Sequence, residues 1–321
     1  MDFIKQNKKT LIVVGTILIL FIVNKSINVY ATNKIEDELK SVTKNIDFDY
    51  DDLNYSFLSS TLTFENISIE DGRDNLNVEE LSIKLDPDEL PSKSEFEKGN
   101  IVMSLSSTEL SILNLKYVTG DALIKIGESS LYFNGYINRK EEEFNADQLE
   151  LDIKDLNVSA DDEGFDIENL NLEFESENQI NLLDSDGQIE SLQNNELDDL
   201  NLEVTIENYD LSREIIRELD LDKLGISSLS GEIFSIHIDK SKDELEFDLD
   251  LGSDFLGEIE IESIIDFEDN PNDPMITLEV ELNNLEQGLN KLLERSKLKE
   301  TKNGFELDFQ GTISELKNSI F

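Results

Sequence analysis

The chain has no cysteine, no tryptophan, one histidine and four prolines in 321 residues. Without cysteine there is no disulfide framework, no thiolate zinc site and no thiol nucleophile. The lone histidine, His237, lies in Ile236-His237-Ile238 on the polar phase of a strand. One imidazole makes neither an ordinary zinc site nor a hydrolytic triad by itself, so His237 reads as a surface residue. Basic residues are also scarce. Twenty-seven stand against 73 acids, for a net charge of −46. Such a surface repels phosphate backbones and anionic headgroups, which excludes nucleic acid as a partner. Glycine-rich phosphate loops are missing in both their dinucleotide and P-loop forms. Carboxylates pair everywhere, so their pairing carries no information. A glycosidase needs two of them in an apolar, aromatic-lined cleft, which a chain without tryptophan and with wet-phase acids does not offer. Asp184-Ser185-Asp186-Gly187 and the stretch Asp269 to Asp273 cluster oxygen ligands. Neither fits an EF-hand loop, because Leu182 stands where the first Asp belongs and the second stretch lacks the glycine. The sequence points to no catalytic residue, no cofactor, no resident metal and no enzyme.

What is present is one recurring phrase. An apolar residue is followed by two polar ones, then by Leu or Ile alternating with acid or amide. It reads Val78-Glu79-Glu80-Leu81-Ser82-Ile83-Lys84-Leu85. It returns at residues 146–153 with Leu149, Leu151 and Ile153, and at 167–174 with Leu170, Leu172 and Phe174. It returns again at 197–204 with Leu200, Leu202 and Val204. Alternation of this kind predicts strands with one apolar and one wet face. The acids alternate with Leu, Ile and Phe rather than forming blocks, so they read as a solvated strand face and not as a disordered tail. The shift of phase between Phe64 and Ile67 predicts a bulge.

The expected order is a series of strands from residue 46 to residue 313. Leu123 to Ile126 and Leu131 to Ile137 read as two strands, and so do Phe165 to Phe174 and Ile180 to Leu183. Two strand–helix units stand out as an internal repeat. Leu202 to Tyr209 leads into Leu211, Ile215 and Leu219, and Leu278 to Leu285 leads into Leu289, Leu292 and Leu293. No stretch rich in Gly, Ser or Pro divides the body, which reads as one elongated domain over 46–321 with a seam near residue 195.

The first residues have a different character. Lys5, Lys8 and Lys9 precede an apolar run from Leu11 to Val23 that continues through Ile27, Val29, Tyr30 and Ala31. Residues 10–31 read as a transmembrane anchor with residues 1–9 in the cytoplasm and the body outside. A cleaved signal peptide ending at Ala31 is the competing reading. Helical spacing of Ile35, Leu39, Val42 and Ile46 across 32–45 favours a retained anchor with a juxtamembrane helix. Either way the body is exported.

The twelve residues Leu81, Ile83, Leu85, Leu149, Leu151, Ile153, Leu170, Leu172, Phe174, Leu200, Leu202 and Val204 form the candidate apolar groove. Removing such a surface from water is worth about 25 cal/mol per Å². Strands about 4.8 Å apart make a sheet of roughly 15 strands about 70 Å long, whereas two three-turn helices each reach only about 15 Å. Curling of the sheet must therefore do most of the covering, leaving a closed core or an open groove for a guest.

The lysines and anchor, the run Tyr55-Ser56-Phe57-Leu58-Ser59-Ser60-Thr61-Leu62-Thr63-Phe64-Glu65-Asn66-Ile67-Ser68-Ile69, the recurring strands and the two strand–helix units together resemble the AsmA-like and YdgA-like bacterial envelope proteins. The resemblance spans the chain without a catalytic motif. It implies an elongated, curved antiparallel sheet behind an inner-membrane anchor, an apolar groove, and a part in lipid movement between membranes, with lipid and other envelope proteins as partners. The chain departs from that pattern in being short for a bridge between two membranes and unusually acidic. The alternative expectation is a structural or interaction protein of the envelope with a closed β core and no lipid cargo.

Overall fold

A computed structural model describes residues 47–56, 59–84, 102–104, 108–120, 122–138, 143–160, 163–183, 199–211, 229–253, 256–268, 270, 273–285, 293 and 298–320. The predicted anchor, the juxtamembrane helix, Leu85 and the Asp184 cluster lie outside these residues, as do Ile215, Leu219, Leu289 and Leu292 of the strand–helix units; Leu211 is in a strand instead of starting a helix, and Leu293 is helical. Among the described residues no helix is long and apolar enough to cross a membrane.

The chain is mainly β. The first strands are β1 (Asp47–Asp49), β2 (Asp52–Ser56), β3 (Thr61–Asp71) and β4 (Asp74–Lys84). There follow β5 (Val102–Ser104), β6 (Thr108–Thr119), β7 (Ala122–Asn138), β8 (Glu143–Ala160) and β9 (Glu163–Leu183). Then come β10 (Leu200–Leu211), β11 (Leu229–Lys240), β12 (Glu244–Ser253), β13 (Gly257–Asp266) and β14 (Met275–Asn283). The last are β15 (Lys299–Glu300) and β16 (Gly304–Thr312), before helix α1 (Ile313–Ile320). They form one open sheet in the order β1-β3-β4-β6-β7-β8-β9-β10-β11-β12-β13-β14-β16-β15, with β2 also on β3 and β5 also on β7. Short turns join β3 to β4, β6 to β7, β11 to β12 and β12 to β13, and each of these pairs is antiparallel. Gly72 and Gly120 supply positive φ at two of those turns, at 70° and 58°.

Helix α1 was not expected from the sequence. Thr312 caps it: its hydroxyl accepts from the Glu315 N–H at 3.3 Å, while the Glu315 carboxylate accepts from the Thr312 N–H at 3.0 Å. The Ser314 N–H donates to Asp273 at 3.0 Å, which ties the helix start to the loop before β14.

Two compact units make up the chain. Unit 1 comprises residues 1–150 and 179–193, and unit 2 comprises residues 151–178 and 194–321. In unit 1 the core sits on β3 and β4, where Leu62, Phe64, Ile67, Ile69, Leu76, Val78, Leu81 and Ile83 are all buried. Tyr50 meets the Phe64 ring edge-on, with centroids 5.8 Å apart, and Phe48 in turn meets Tyr50 at 5.6 Å.

The two polar residues of the recurring phrase have a specific place. In β3, Leu62 and Phe64 are buried, Glu65 and Asn66 both face water, and Ile67 and Ile69 are buried again. In β4, Val78 is buried, Glu79 and Glu80 turn outward, and Leu81 is buried. The phase slips by one residue in each strand, and register survives because the neighbours slip at the same level. Phe64 stays opposite Leu81 and Ile67 opposite Val78. Leu81 stays opposite Ile112 and Val78 opposite Leu115. Ile112 stays opposite Ser129 and Leu115 opposite Ile126. The expected bulge at Phe64 to Ile67 is thus corrected: no residue is left over, because β4, β6 and β7 take the same step.

The step is made by left-handed residues. Asn66 and Asn114 have φ of 53° and 49°. Asn adopts this region more readily than other non-glycine residues because its short amide bonds locally. Asn114 donates to the Glu79 carboxylate at 2.6 Å, and Asn66 to that of Asp51 at 2.8 Å. Unit 2 repeats the device with Asp155 at 54° and Asn208 at 49°. Ile206 and Tyr209, on either side of Asn208, keep Leu170 and Ile167 opposite them on β9.

The slip also explains why two expected strands are one. Gly127 sits opposite Asn114 by the register of β6 and β7, so the break between Leu123–Ile126 and Leu131–Ile137 is a change of phase inside β7 rather than a turn. In β9 the region from Phe165 to Leu183 is likewise continuous. Asn114→Gly is expected to leave stability within about 0.5 kcal/mol, whereas Asn114→Val should lose about 1–2 kcal/mol through a β-branched residue held at positive φ. Urea denaturation of the two variants checks this, and equal stabilities would contradict it.

Candidate functional site

In unit 2 the alternation of seven strands brings apolar side chains into continuous rows. One row runs Leu172, Val204, Ile236, Leu249, Ile261, Val280 and Leu307 across β9, β10, β11, β12, β13, β14 and β16. A second runs Leu170, Ile206, Phe234, Leu251, Ile259, Leu282 and Phe305. Beside them Phe174, Leu202, Ile238 and Phe247 are aligned. All of these are half-buried except Phe305, which is buried. In unit 1, β3 and β4 differ, with Phe64 and Ile83 both 0% exposed and Leu62 1% exposed, while Leu110, Ile112 and Leu115 of β6 are half-buried.

The twelve candidate residues therefore have different surroundings. Leu81 and Ile83 are core residues of unit 1, and Leu149 is a half-buried member of the same unit. Leu85 lies outside the described residues. Leu151, Ile153, Leu170, Leu172, Phe174, Leu200, Leu202 and Val204 are half-buried in unit 2. Leu202 lies opposite Phe174 and Val204 opposite Leu172, while Leu200 faces Ser176 instead of an apolar partner. Asn171 donates to Asp152 at 2.9 Å, and Asn157 bonds Asp166, which sets Leu151 and Ile153 beside Leu172 and Leu170. Sequence reasoning missed the continuation through β11 to β16. Its signal was present as plain alternation in Phe247-Asp248-Leu249-Asp250-Leu251 and Ile259-Glu260-Ile261. These stretches read as strands, but the candidate groove residues come from the strands that carry the two-polar phrase.

Gly231 keeps this surface closed at the slip. A Cβ there would lie 2.1 Å from the Gly252 carbonyl oxygen and 2.6 Å from the Tyr209 hydroxyl. The buried Tyr209 ring lies over the glycine and donates its hydroxyl to Gly252 O at 3.4 Å.

The opposite side of the same strands carries acids in rows. Glu173 and Glu203 face each other, and Asp248, Glu262, Glu279 and Asp308 follow one another across β12 to β16. A parallel row is Asp250, Glu260, Glu281 and Glu306. Like charges directly opposite destabilise a sheet. Glu260 registers this: partial burial first, then Glu281, Asp250, Glu258 and Glu262, raise its carboxyl above the ordinary range. At the end of that row Lys299 of β15 pairs with Glu306. The bond and charge of Glu306, with Asp308 behind it, hold the Lys299 ammonium above its usual range.

His237 lies in the acid rows, with Glu203 opposite it on one side and Asp248 on the other. Its Nδ1 is 3.8 Å from the Asp248 carboxylate and its Nε2 is 3.4 Å from the Asn201 amide nitrogen. Among the described residues no group of three or more His, Asp or Glu side chains is arranged to hold a metal ion. Among the described residues the geometry offers an apolar surface and an anionic one. No known family and no curated protein matches the sequence.

Proposed function

We propose that this chain is a single-pass envelope protein, anchored in the inner membrane with its body in the periplasm. Its elongated, curved sheet shields lipid acyl chains along the half-buried face of unit 2, as the AsmA-like resemblance implies, and it performs no covalent chemistry. One observation carries the reading: rows of Leu, Ile, Val and Phe continue across seven strands and, Phe305 apart, remain only half-buried. Each methylene of a guest removed from water there contributes about 0.8 kcal/mol. The acidic opposite face keeps the protein dispersed and disfavours association with anionic surfaces.

The test is photocrosslinking in the full-length chain within its membrane. Benzoylphenylalanine at Val204, Ile236 or Val280 is expected to capture lipid, whereas the same residue at Thr205 or Ser235 is not. Absence of lipid adducts at all three apolar positions would remove the lipid reading.

A second reading, a structural envelope protein without cargo, is favoured by unit 1, where Leu62, Phe64 and Ile83 leave no room for a guest. Protein adducts in place of lipid at Val204 and Ile236 would select it.

A further inference from the structure

The outer side of β16 is only partly covered. On its inner side β16 pairs β14 over its whole length, Gly304 with Asn283 through to Thr312 with Met275. On its outer side, among the described residues, it pairs only Glu306 with Lys299 and Phe305 with Glu300. The Thr301 N–H donates to the Gly304 carbonyl at 2.9 Å, so Gly304 directs its backbone polar groups outward. The register with β14 is unbroken, so Glu306, Asp308, Gln310 and Thr312 direct theirs the same way. Glu306 is met by β15, and the Thr312 N–H is bonded to Glu315. Asp308 and Gln310 direct N–H and C=O groups to a side where no described strand pairs them, and both side chains are exposed. Packing follows the same boundary. Phe305, opposite β15, is 5% exposed, while Leu307 and Phe309 beyond its end are only half-buried.

Charge states what fits there. The row Asp250–Glu260–Glu281–Glu306 ends on a cation, Lys299, which lies where the next strand would be. The neighbouring row Asp248–Glu262–Glu279–Asp308 has no described strand beyond Asp308. We propose that the open edge of β16 at Asp308 to Gln310 receives a strand from a partner protein, bearing Lys or Arg beside Asp308 and apolar residues beside Leu307 and Phe309. Strand addition supplies main-chain hydrogen bonds, and alternate side chains supply selection. The chain itself uses the same arrangement one residue pair away, in β15.

The experiment measures binding of two synthetic peptides to the full chain by fluorescence anisotropy, one alternating Lys with Val and one of equal length alternating Glu with Val. The basic peptide is expected to bind at least about tenfold more tightly. It should also slow hydrogen exchange at the Asp308 and Gln310 amides. Gln310→Pro removes an outward N–H that the sheet does not use, and should lose about tenfold of the basic peptide's affinity. Asp308→Lys should reverse the preference between peptides. Equal binding of the basic peptide by Gln310→Pro would place the attraction on the acidic face at large and overturn the proposal. So would unchanged amide exchange, a reading that survives if the proline variant fails to fold. A chain that dimerises through β16 and thereby excludes the peptide would also overturn it.

Discussion

Phe64→Ala should destabilise unit 1 by about 3–5 kcal/mol, the range for emptying a fully enclosed aromatic site. Phe64 is 0% exposed. It stands between Leu53 on β2 and Leu81 on β4, with the Tyr50 ring against its face. No neighbour is placed to collapse into the gap, because Leu62 and Ile83 are themselves fully enclosed. Phe234→Ala in unit 2 is the comparison. Phe234 is half-buried between Ile206 and Leu251, so its loss should be about half as large, near 2 kcal/mol. Urea unfolding followed by circular dichroism separates the two variants. A loss under about 1 kcal/mol for Phe64→Ala would mean that unit 1 is not packed as described.

Salt should strengthen the fold by a comparable total. Ten like-charged pairs stand directly opposite one another among the described residues of unit 2: Asp166–Asp210, Glu173–Glu203, Asp239–Glu246, Glu244–Asp266, Asp248–Glu262, Asp250–Glu260, Glu262–Glu279, Glu260–Glu281, Glu279–Asp308 and Glu281–Glu306. At a few tenths of a kcal/mol each, they oppose folding by about 2–4 kcal/mol at low ionic strength. The screening length falls from about 30 Å at 0.01 M to about 3 Å at 1 M salt, which removes most of that repulsion. Thermal melts in sodium chloride should show a midpoint rising by about 5–10 °C over this range, given about 2–4 °C per kcal/mol for a unit of this size. A flat midpoint would contradict the acid rows.

Protonation acts in the same direction. The carboxyl of Glu260 is raised in the folded chain, chiefly by partial burial and then by Glu281 and Asp250. A raised carboxyl means the fold prefers the protonated form. Its contribution is complete below the ordinary carboxylate range and is lost as pH rises through the raised value. At neutral pH, Glu260 therefore works against folding. Glu260→Gln should raise the melting midpoint at about pH 7 and leave it nearly unchanged at about pH 3, below the ordinary carboxylate range, where both side chains are neutral.

Much of the β pattern was legible. Leu200-Asn201-Leu202-Glu203-Val204 could be nothing but a two-faced strand, and β10 realises it with Leu202 against Phe174 and Val204 against Leu172. The wet position of His237 followed from the same alternation. Two things were not legible. The first is that the polar pair in Val78-Glu79-Glu80-Leu81 is a step shared by four strands. A single strand shows its own phase but not its neighbour's level, and only pairing aligns Asn66, Glu79, Asn114 and Gly127. The second is the difference between Ile83 and Ile236. Both sit at apolar positions of alternating strands, yet one is enclosed and the other is half-open. Alternation assigns a face, while enclosure depends on what lies over it, which local sequence does not encode. The capping pair Thr312 and Glu315 stands plainly at the start of α1, but the strand pattern runs directly into it and hides the helix start.

The shared step binds the inheritance of neighbouring strands together. A one-residue deletion between Val78 and Leu81 would turn one half of β4 over, exposing its leucines while thrusting glutamates inward, unless β3 and β6 lost a residue at the same level. Viable descendants of this sheet must therefore change length in concert, several strands at a time.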